Sequence, residues 1–208
     1  MLQTVDAAGP AELAEAVRAV LAKRQPAAEA SDGATPAGVL VPLQYHDGRW
    51  HVILNVRSDT VGEHRGEISF PGGHLEAIDA DMVACALRET REEMGVRPED
   101  VDVLGPLDAM LTRTNYIVWP TVGIIPHPYP FAPDAREVAA IVEVPVSDLL
   151  DPANIRHEAR LQPDGSVSKR VSFVAGEHLI FGVTAWILAQ LLDVLGQARL
   201  AKVAGGPP

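Results

Sequence analysis

Apolar positions recur along the 208-residue chain in two different patterns, separated by stretches rich in glycine and proline. Apolar residues three and four apart predict helices, whereas short apolar runs rich in β-branched residues predict strands. The predicted helices cover residues 10–23, 81–94 and 183–202. The predicted strands cover residues 38–45, 50–57, 66–70, 101–107, 116–125 and 137–144, with a further hairpin over 156–174. Because helices and strands interleave, the pattern predicts an α+β fold with a mixed sheet.

Turn residues divide this pattern into two parts. Residues 1–36 read as an N-terminal helix followed by a linker, and residues 37–203 as one domain. Within the domain, the turn His46-Asp47-Gly48-Arg49 predicts a hairpin between the first two strands. Residues 126–135 contain four prolines, which predicts a loop.

Composition and charge narrow the class of partner. The net charge is −11, from 17 basic and 28 acidic residues, and such a surface repels nucleic acid. We expect no membrane span, because no apolar run approaches about 20 residues. The N-terminus lacks the pattern of a signal peptide, and the single Cys85 suits a reducing compartment, so we expect a cytoplasmic protein. The sequence leaves a homodimer open.

Three glutamates crowd the end of the central helix. Glu89, Glu92 and Glu93 are three and four residues apart, so they share one helical face and repel one another. One interpretation is a solvated acidic face relieved by Arg88 and Arg91. The other is a site for a hard divalent cation, since Mg²⁺ binds a few carboxylates together with substrate phosphates.

The surrounding residues favour the metal site. The nonapeptide Arg88-Glu-Thr-Arg-Glu-Glu-Met-Gly-Val96, with Gly73 upstream, resembles the Nudix box of hydrolases that cleave nucleoside diphosphates linked to another group. The resemblance implies the Nudix fold, an α/β/α sandwich with a mixed sheet between helices. It implies Mg²⁺, with Mn²⁺ as a substitute. The implied metal ligands are Glu89, Glu92, Glu93 and the carbonyl of Gly73, and the implied catalytic residues are Glu92, as ligand or base, and Arg88, which holds Glu92.

Two departures accompany this resemblance. Thr90 stands where the family usually has an aliphatic residue. Fourteen residues separate Gly73 from Arg88, one more than usual, and Asp79 stands sixth after Gly73 in place of a glutamate. In other Nudix branches the base comes from a later loop, so Asp134, Glu137 and Glu143 remain alternatives to Glu92.

A second motif points to the substrate. Leu54-Asn-Val-Arg-Ser58, Gly66 and Phe70-Pro-Gly-Gly73 resemble the upstream motif of coenzyme A pyrophosphatases, although Gly62 replaces an expected arginine. This resemblance implies substrate binding by Arg57, Arg65, Phe70 and Gly72, and hydrolysis of coenzyme A to 3′,5′-ADP and 4′-phosphopantetheine. The alternatives are a Nudix hydrolase for ADP-ribose or NADH and a non-catalytic Nudix-fold binding module.

Overall fold

A computed structural model describes residues 9–26, 33–58, 66–161, 165 and 167–204. The described helices are α1 (Pro10–Leu21), α2 (Met82–Met94), α3 (Val146–Leu150) and α4 (Gly182–Ala204). The described strands are β1 (Thr35–His46), β2 (Arg49–Arg57), β3 (Ile68–Ser69), β4 (Gly72–His74), β5 (Asp102–Pro106), β6 (Met110–Leu111), β7 (Tyr116–Ile124), β8 (Val138–Pro145), β9 (Ile155–Leu161), β10 (Val167–Ala175) and β11 (His178–Ile180). Among these helices, none is long and apolar enough to cross a membrane.

Strands β1 to β8 form a mixed sheet within the described residues. Its central order is β3-β2-β1-β7-β5, with β4 on β1, β6 on β7 and β8 on β2. Strands β1 and β7 run parallel, and the other described pairs run antiparallel. Strands β9, β10 and β11 form a second, antiparallel sheet.

The mixed sheet is covered on both faces. Alternate residues of a strand point to opposite faces, and β2 illustrates this: Leu54 belongs to the main core with α1 and α4, whereas Ile53 packs with Met94 of α2. Hydrophobic residues therefore line both sides of the sheet, with α2 on one side and α1, α3 and α4 on the other. The predicted α+β fold, an α/β/α sandwich, is confirmed.

The long elements match the sequence pattern. The three predicted helices, the hairpin turning at Asp47-Gly48 and the proline-rich loop are all present. The pattern missed β4, β6, α3 and β11, each of five residues or fewer. A period needs several repeats to be visible, so short elements that depend on tertiary contacts escape it.

The first helix packs on the last. Leu13, Val17 and Leu21 of α1 are buried in the same hydrophobic core as Leu191 and Leu195 of α4. Arg24, just beyond α1, forms an ion pair with Asp108 at 2.7 Å. The predicted boundary at residue 36 stays a prediction, but the helix on its N-terminal side contributes to the core of the domain.

Candidate active site

Capping residues fix both ends of α2. At its start, the side chain of Asp81 accepts a hydrogen bond from Ala84 N at 2.8 Å. At its end, Gly95 adopts a left-handed conformation with φ of 74°, which costs glycine little because it has no Cβ. The helix therefore ends directly after Glu92 and Glu93, as the sequence predicted.

Glu93 is a buried carboxylate at the centre of the site. Its side chain is 6% exposed, and its Oε2 accepts hydrogen bonds from Asn55 Nδ2 at 2.8 Å and from Gly72 N at 3.3 Å. Burial, reinforced by the nearby charges of Glu89 and Glu137, raises the pKa of Glu93 to about 8. A nearby cation would relieve this penalty, since an opposite charge favours the ionised form.

Glu89 lies against the backbone of β4. A Cβ built on Gly73 would come within 2.5 Å of the Glu89 carboxylate, so a side chain at this position would displace it. Burial raises the pKa of Glu89, and the charges of Glu92 and Glu137 add to this effect, whereas Arg88 opposes it. The Gly73 carbonyl, an expected ligand, lies 3.4 Å from the Cys85 thiol, which is a weak donor.

Arg88 connects α2 to the loop before it. Its guanidinium donates to both carboxylate oxygens of Asp79, at 2.9 and 3.0 Å, and to the carbonyl of His74 at 2.9 Å. These hydrogen bonds lower the pKa of Asp79 and raise that of Arg88. The expected contact with Glu92 is present at 3.3 Å, and Glu89 is closer at 2.9 Å. Asp79 is thus the principal partner of Arg88.

The four candidate bases differ in their surroundings. The Glu92 side chain is 60% exposed at the rim of the site. Asp134 is bound by Arg136, which lowers the pKa of that carboxyl to about 2. Glu143 lies 2.9 Å from His46 Nε2, in a stack of histidines. Glu137 differs from Asp134 and Glu143 because its charge acts on both Glu89 and Glu93.

The expected substrate-binding residues fall into three groups. Arg57 lowers the pKa of Glu93, so its charge acts on the site, and its buried Nε has no hydrogen-bond partner among the described residues. Gly72 contacts Glu93 through its backbone. Phe70 is 5% exposed and packs in the main core, so its role in substrate binding stays a prediction. Arg65 and the neighbouring Gly62 lie outside the described residues.

The oxygen atoms at this site are suitable ligands for a hard divalent cation. Its potential ligands are carboxylate and carbonyl oxygens, as Mg²⁺ prefers; Glu93 is buried and Glu89 is half-buried. In the part of the chain that the structure describes, no three acidic, histidine or cysteine side chains already converge as a metal cage. The Glu89 carboxylate is engaged by Arg88, whereas Asn55 engages Oε2 of Glu93, so Oε1 of Glu93 is the oxygen left for a cation.

Sequence reasoning missed the roles of two residues. Asp79 was noted only as a departure from the usual spacing, and Asn55 only as part of a motif. Asp79 contacts Arg88 across 9 positions in sequence and Asn55 contacts Glu93 across 38. The double glycine, the arginine and the helix cap indicated a site here, but neither pairing has a local sequence signal.

The chain was compared with known proteins. The NUDIX domain family model matches residues 34–163. The chain is 34% identical over 161 residues to the Nudix hydrolase NudL of Cronobacter sakazakii, covering 77% of this chain and 83% of that protein. It is 35% identical over 161 residues to NudL of Citrobacter koseri, covering 77% and 82%.

Solved structures share the fold at low sequence identity. The C. elegans Ap4A hydrolase, in a binary complex, superposes with a TM-score of 0.51 at 16% identity, covering 82% of this chain and 99% of that one. A MutT/nudix family protein from Enterococcus faecalis has a TM-score of 0.51 at 16% identity, covering 96% and 88%. The family model and the sequence relatives agree with this fold, and the chain therefore belongs to the Nudix hydrolase family.

Proposed function

We propose that this Nudix hydrolase cleaves the pyrophosphate bond of coenzyme A or its acyl derivatives, with Mg²⁺ as the metal and Mn²⁺ as a substitute. The products from coenzyme A are 3′,5′-ADP and 4′-phosphopantetheine. The observation that carries the proposal is the position of Arg57. This motif residue acts electrostatically on Glu93, and its buried Nε has no partner among the described residues. A phosphate-binding donor beside the buried Glu93 carboxylate suits a diphosphate substrate.

The residues of the site have separate roles in the proposed reaction. Glu89 and Glu93, with Glu92 and the Gly73 carbonyl, would hold the cation, which when bound lowers the pKa of water and neutralises phosphate charge. Arg57 binds a phosphate oxygen. Arg88 holds the Asp79 loop against α2, which keeps Gly73 next to Glu89. Water adds to one phosphorus while the bridging P–O bond breaks.

The proton of the attacking water needs an acceptor. Glu137 suits this role because its charge acts on both Glu89 and Glu93 from the loop opposite α2. Its backbone is held at both sides, by its own N–H to Asp134 O at 2.9 Å and by Ser58 N to its carbonyl at 2.8 Å. Glu92 remains the alternative base. The single Cys85, which suits a reducing compartment, supports a cytoplasmic location.

The chemistry is tested with Glu93→Gln. We expect this change to lower kcat at least about a hundredfold at saturating Mg²⁺, because a ligand charge is lost while the buried shape is kept. Glu99→Gln is the matched control, since Glu99 is 68% exposed on the turn after α2. Near wild-type turnover by Glu93→Gln would show that the metal site lies elsewhere.

The substrate is tested by competition. Coenzyme A, 3′-dephospho-coenzyme A, ADP-ribose, NADH and diadenosine polyphosphates are offered at equal concentrations, and the products are identified by mass. We expect the highest kcat/KM for coenzyme A. Faster hydrolysis of ADP-ribose or NADH would replace the coenzyme A assignment with the alternative, another nucleoside diphosphate derivative. Binding without hydrolysis of any substrate would favour the non-catalytic module.

A further inference from the structure

Strand β2 directs alternate residues at α2. Ile53 packs against Met94, Asn55 contacts Glu93, and Arg57 acts on Glu93 through its charge. Each of these three residues is two positions from the next along the strand, so their side chains lie on the same face. Asn55 is 1% exposed, and it is the polar residue of this row that touches a candidate metal ligand.

The hydrogen bonds to Glu93 are unevenly shared between its two oxygens. Oε2 accepts from Asn55 Nδ2 at 2.8 Å and from Gly72 N at 3.3 Å. Within the described residues, no hydrogen bond reaches Oε1. The Asn55 amide nitrogen faces Oε2, which is the orientation that the ionised, metal-binding form of Glu93 requires, because an ionised carboxylate only accepts hydrogen bonds.

The other atom of the Asn55 amide has no role in holding the fold. Its Oδ1 is buried and receives no hydrogen bond from the described residues. A buried amide with one unsatisfied atom destabilises the folded state relative to an apolar side chain of the same shape. The contact with Glu93 is therefore the interaction that accounts for an asparagine at this position.

We propose that Asn55 is a positioning residue for the metal-binding carboxylate. By occupying Oε2 it orients Glu93 so that Oε1 faces the divalent cation shared with Glu89. This inference rests on the proposed function, because it requires Glu93 to be a ligand. Hydrogen-bond partners that orient a ligating side chain typically contribute 10- to 100-fold to metal affinity or activity.

The test compares two substitutions of Asn55 by residues of nearly the same shape, threonine and valine. Asn55→Thr keeps a hydroxyl donor, one bond shorter than the amide, that can reach Oε2 after a small shift or through one water, whereas Asn55→Val replaces it with a methyl group. Both remove the same volume, so a purely packing role would affect them equally. The control is Gln190→Leu, which removes a half-buried side-chain amide of α4 that accepts a hydrogen bond from Asp108 N, on the far face of the sheet. Mn²⁺ affinity is measured without substrate by electron paramagnetic resonance, and unfolding is followed by circular dichroism in EDTA.

We expect Asn55→Val to weaken Mn²⁺ binding 10- to 100-fold, Asn55→Thr to recover part of this loss, and Gln190→Leu to bind Mn²⁺ like the wild type. Wild-type affinity in Asn55→Val would overturn the proposal. Equal losses in the valine and threonine variants would assign Asn55 to packing and overturn it too. If the valine variant fails to fold, Asn55→Leu replaces it, because leucine keeps the branched shape of the amide without its N–H donor. A loss of Mn²⁺ affinity of 10-fold or more in Asn55→Leu supports the proposal, and a smaller change overturns it. A wild-type protein that does not bind Mn²⁺ would overturn the proposed function itself, and this inference with it.

Discussion

At the scale of single residues, the site places carboxylates close together and partly out of water, where their ionised forms are unfavourable. Glu93 is 6% exposed and surrounded by the negative charges of Glu89 and Glu137, so the folded protein without metal retains a proton on it near neutral pH. The usual pKa of 4.5 applies in the unfolded chain, against about 8 in the fold. The site is thus less stable in the ionised form that metal binding requires.

This difference predicts how stability depends on pH. Between pH 4.5 and about 8 the folded protein holds a proton that the unfolded chain has released, so stability is greatest below this range and falls as pH rises through it. In EDTA, we expect the wild type to lose up to a few kcal/mol between pH 5 and 8. Glu93→Gln should not show this loss. Urea unfolding at pH 5, 6.5 and 8 measures both proteins.

The difference between the two proteins isolates Glu93 from other groups. Burial lowers the pKa of His51, which makes the fold more stable above pH 6.5 than below it, the opposite sign. That contribution is common to wild type and variant and cancels in the comparison. Parallel pH profiles for the two proteins would contradict the buried, protonated Glu93.

At the scale of elements, the ion pair between Asp79 and Arg88 joins the loop after β4 to α2. The Asp79 side chain is 3% exposed and that of Arg88 13%, and two hydrogen bonds join them. Removing the Asp79 carboxylate takes away two charge-assisted hydrogen bonds and leaves Arg88 with Glu89 and Glu92 as its ion-pair partners. The pair also aligns Gly73 with Glu89, so the geometry of the metal site depends on it.

Asp79→Asn should therefore destabilise the protein by about 2 kcal/mol and reduce activity. The control is Glu76→Gln, because Glu76 is 61% exposed and lies 4.0 Å from Arg88, where an ion pair contributes less than about 1 kcal/mol. Unfolding in guanidinium chloride measures both. An equally small effect of the two substitutions would mean that the Asp79 contact does not hold the loop.

At the scale of the whole molecule, the site lies on one face of the sheet and most of the core on the other. Helices α1 and α4 pack together on the far face, and Leu21 of α1 is 3% exposed there. Gly105 of β5 lies directly beneath that leucine, where a Cβ would meet it at 3.1 Å. The N-terminal helix is thus part of the structure that supports the sheet carrying the site.

Leu21→Ala tests whether α1 belongs to the cooperative unit. We expect a loss of about 3 kcal/mol in one two-state transition, the usual cost of a buried leucine, with Mn²⁺ affinity unchanged. Lys23→Ala, at an exposed position after α1, should be nearly neutral. A small loss, or a separate early transition, would show instead that residues before 36 fold apart from the domain.

The sequence by itself determined the features that depend on local repetition. Helical and strand periods identified the long elements, Gly95 identified the end of α2, and the nonapeptide Arg88–Val96 identified the three glutamates on one helical face. These features can be read locally because neighbouring residues share a face through backbone geometry alone.

Only the tertiary structure decided which partners those residues meet. Asn55 reaches Glu93 because β2 runs beneath α2, Asp79 reaches Arg88 because the loop folds back, and Glu137 approaches because the proline-rich loop crosses the end of α2. The same packing removes Glu93 from water and so changes its pKa. Burial and long-range contacts depend on how the helices and the sheet pack together. Residues far apart in the sequence meet only in that packing, so no local repeat in the chain predicts which of them come into contact.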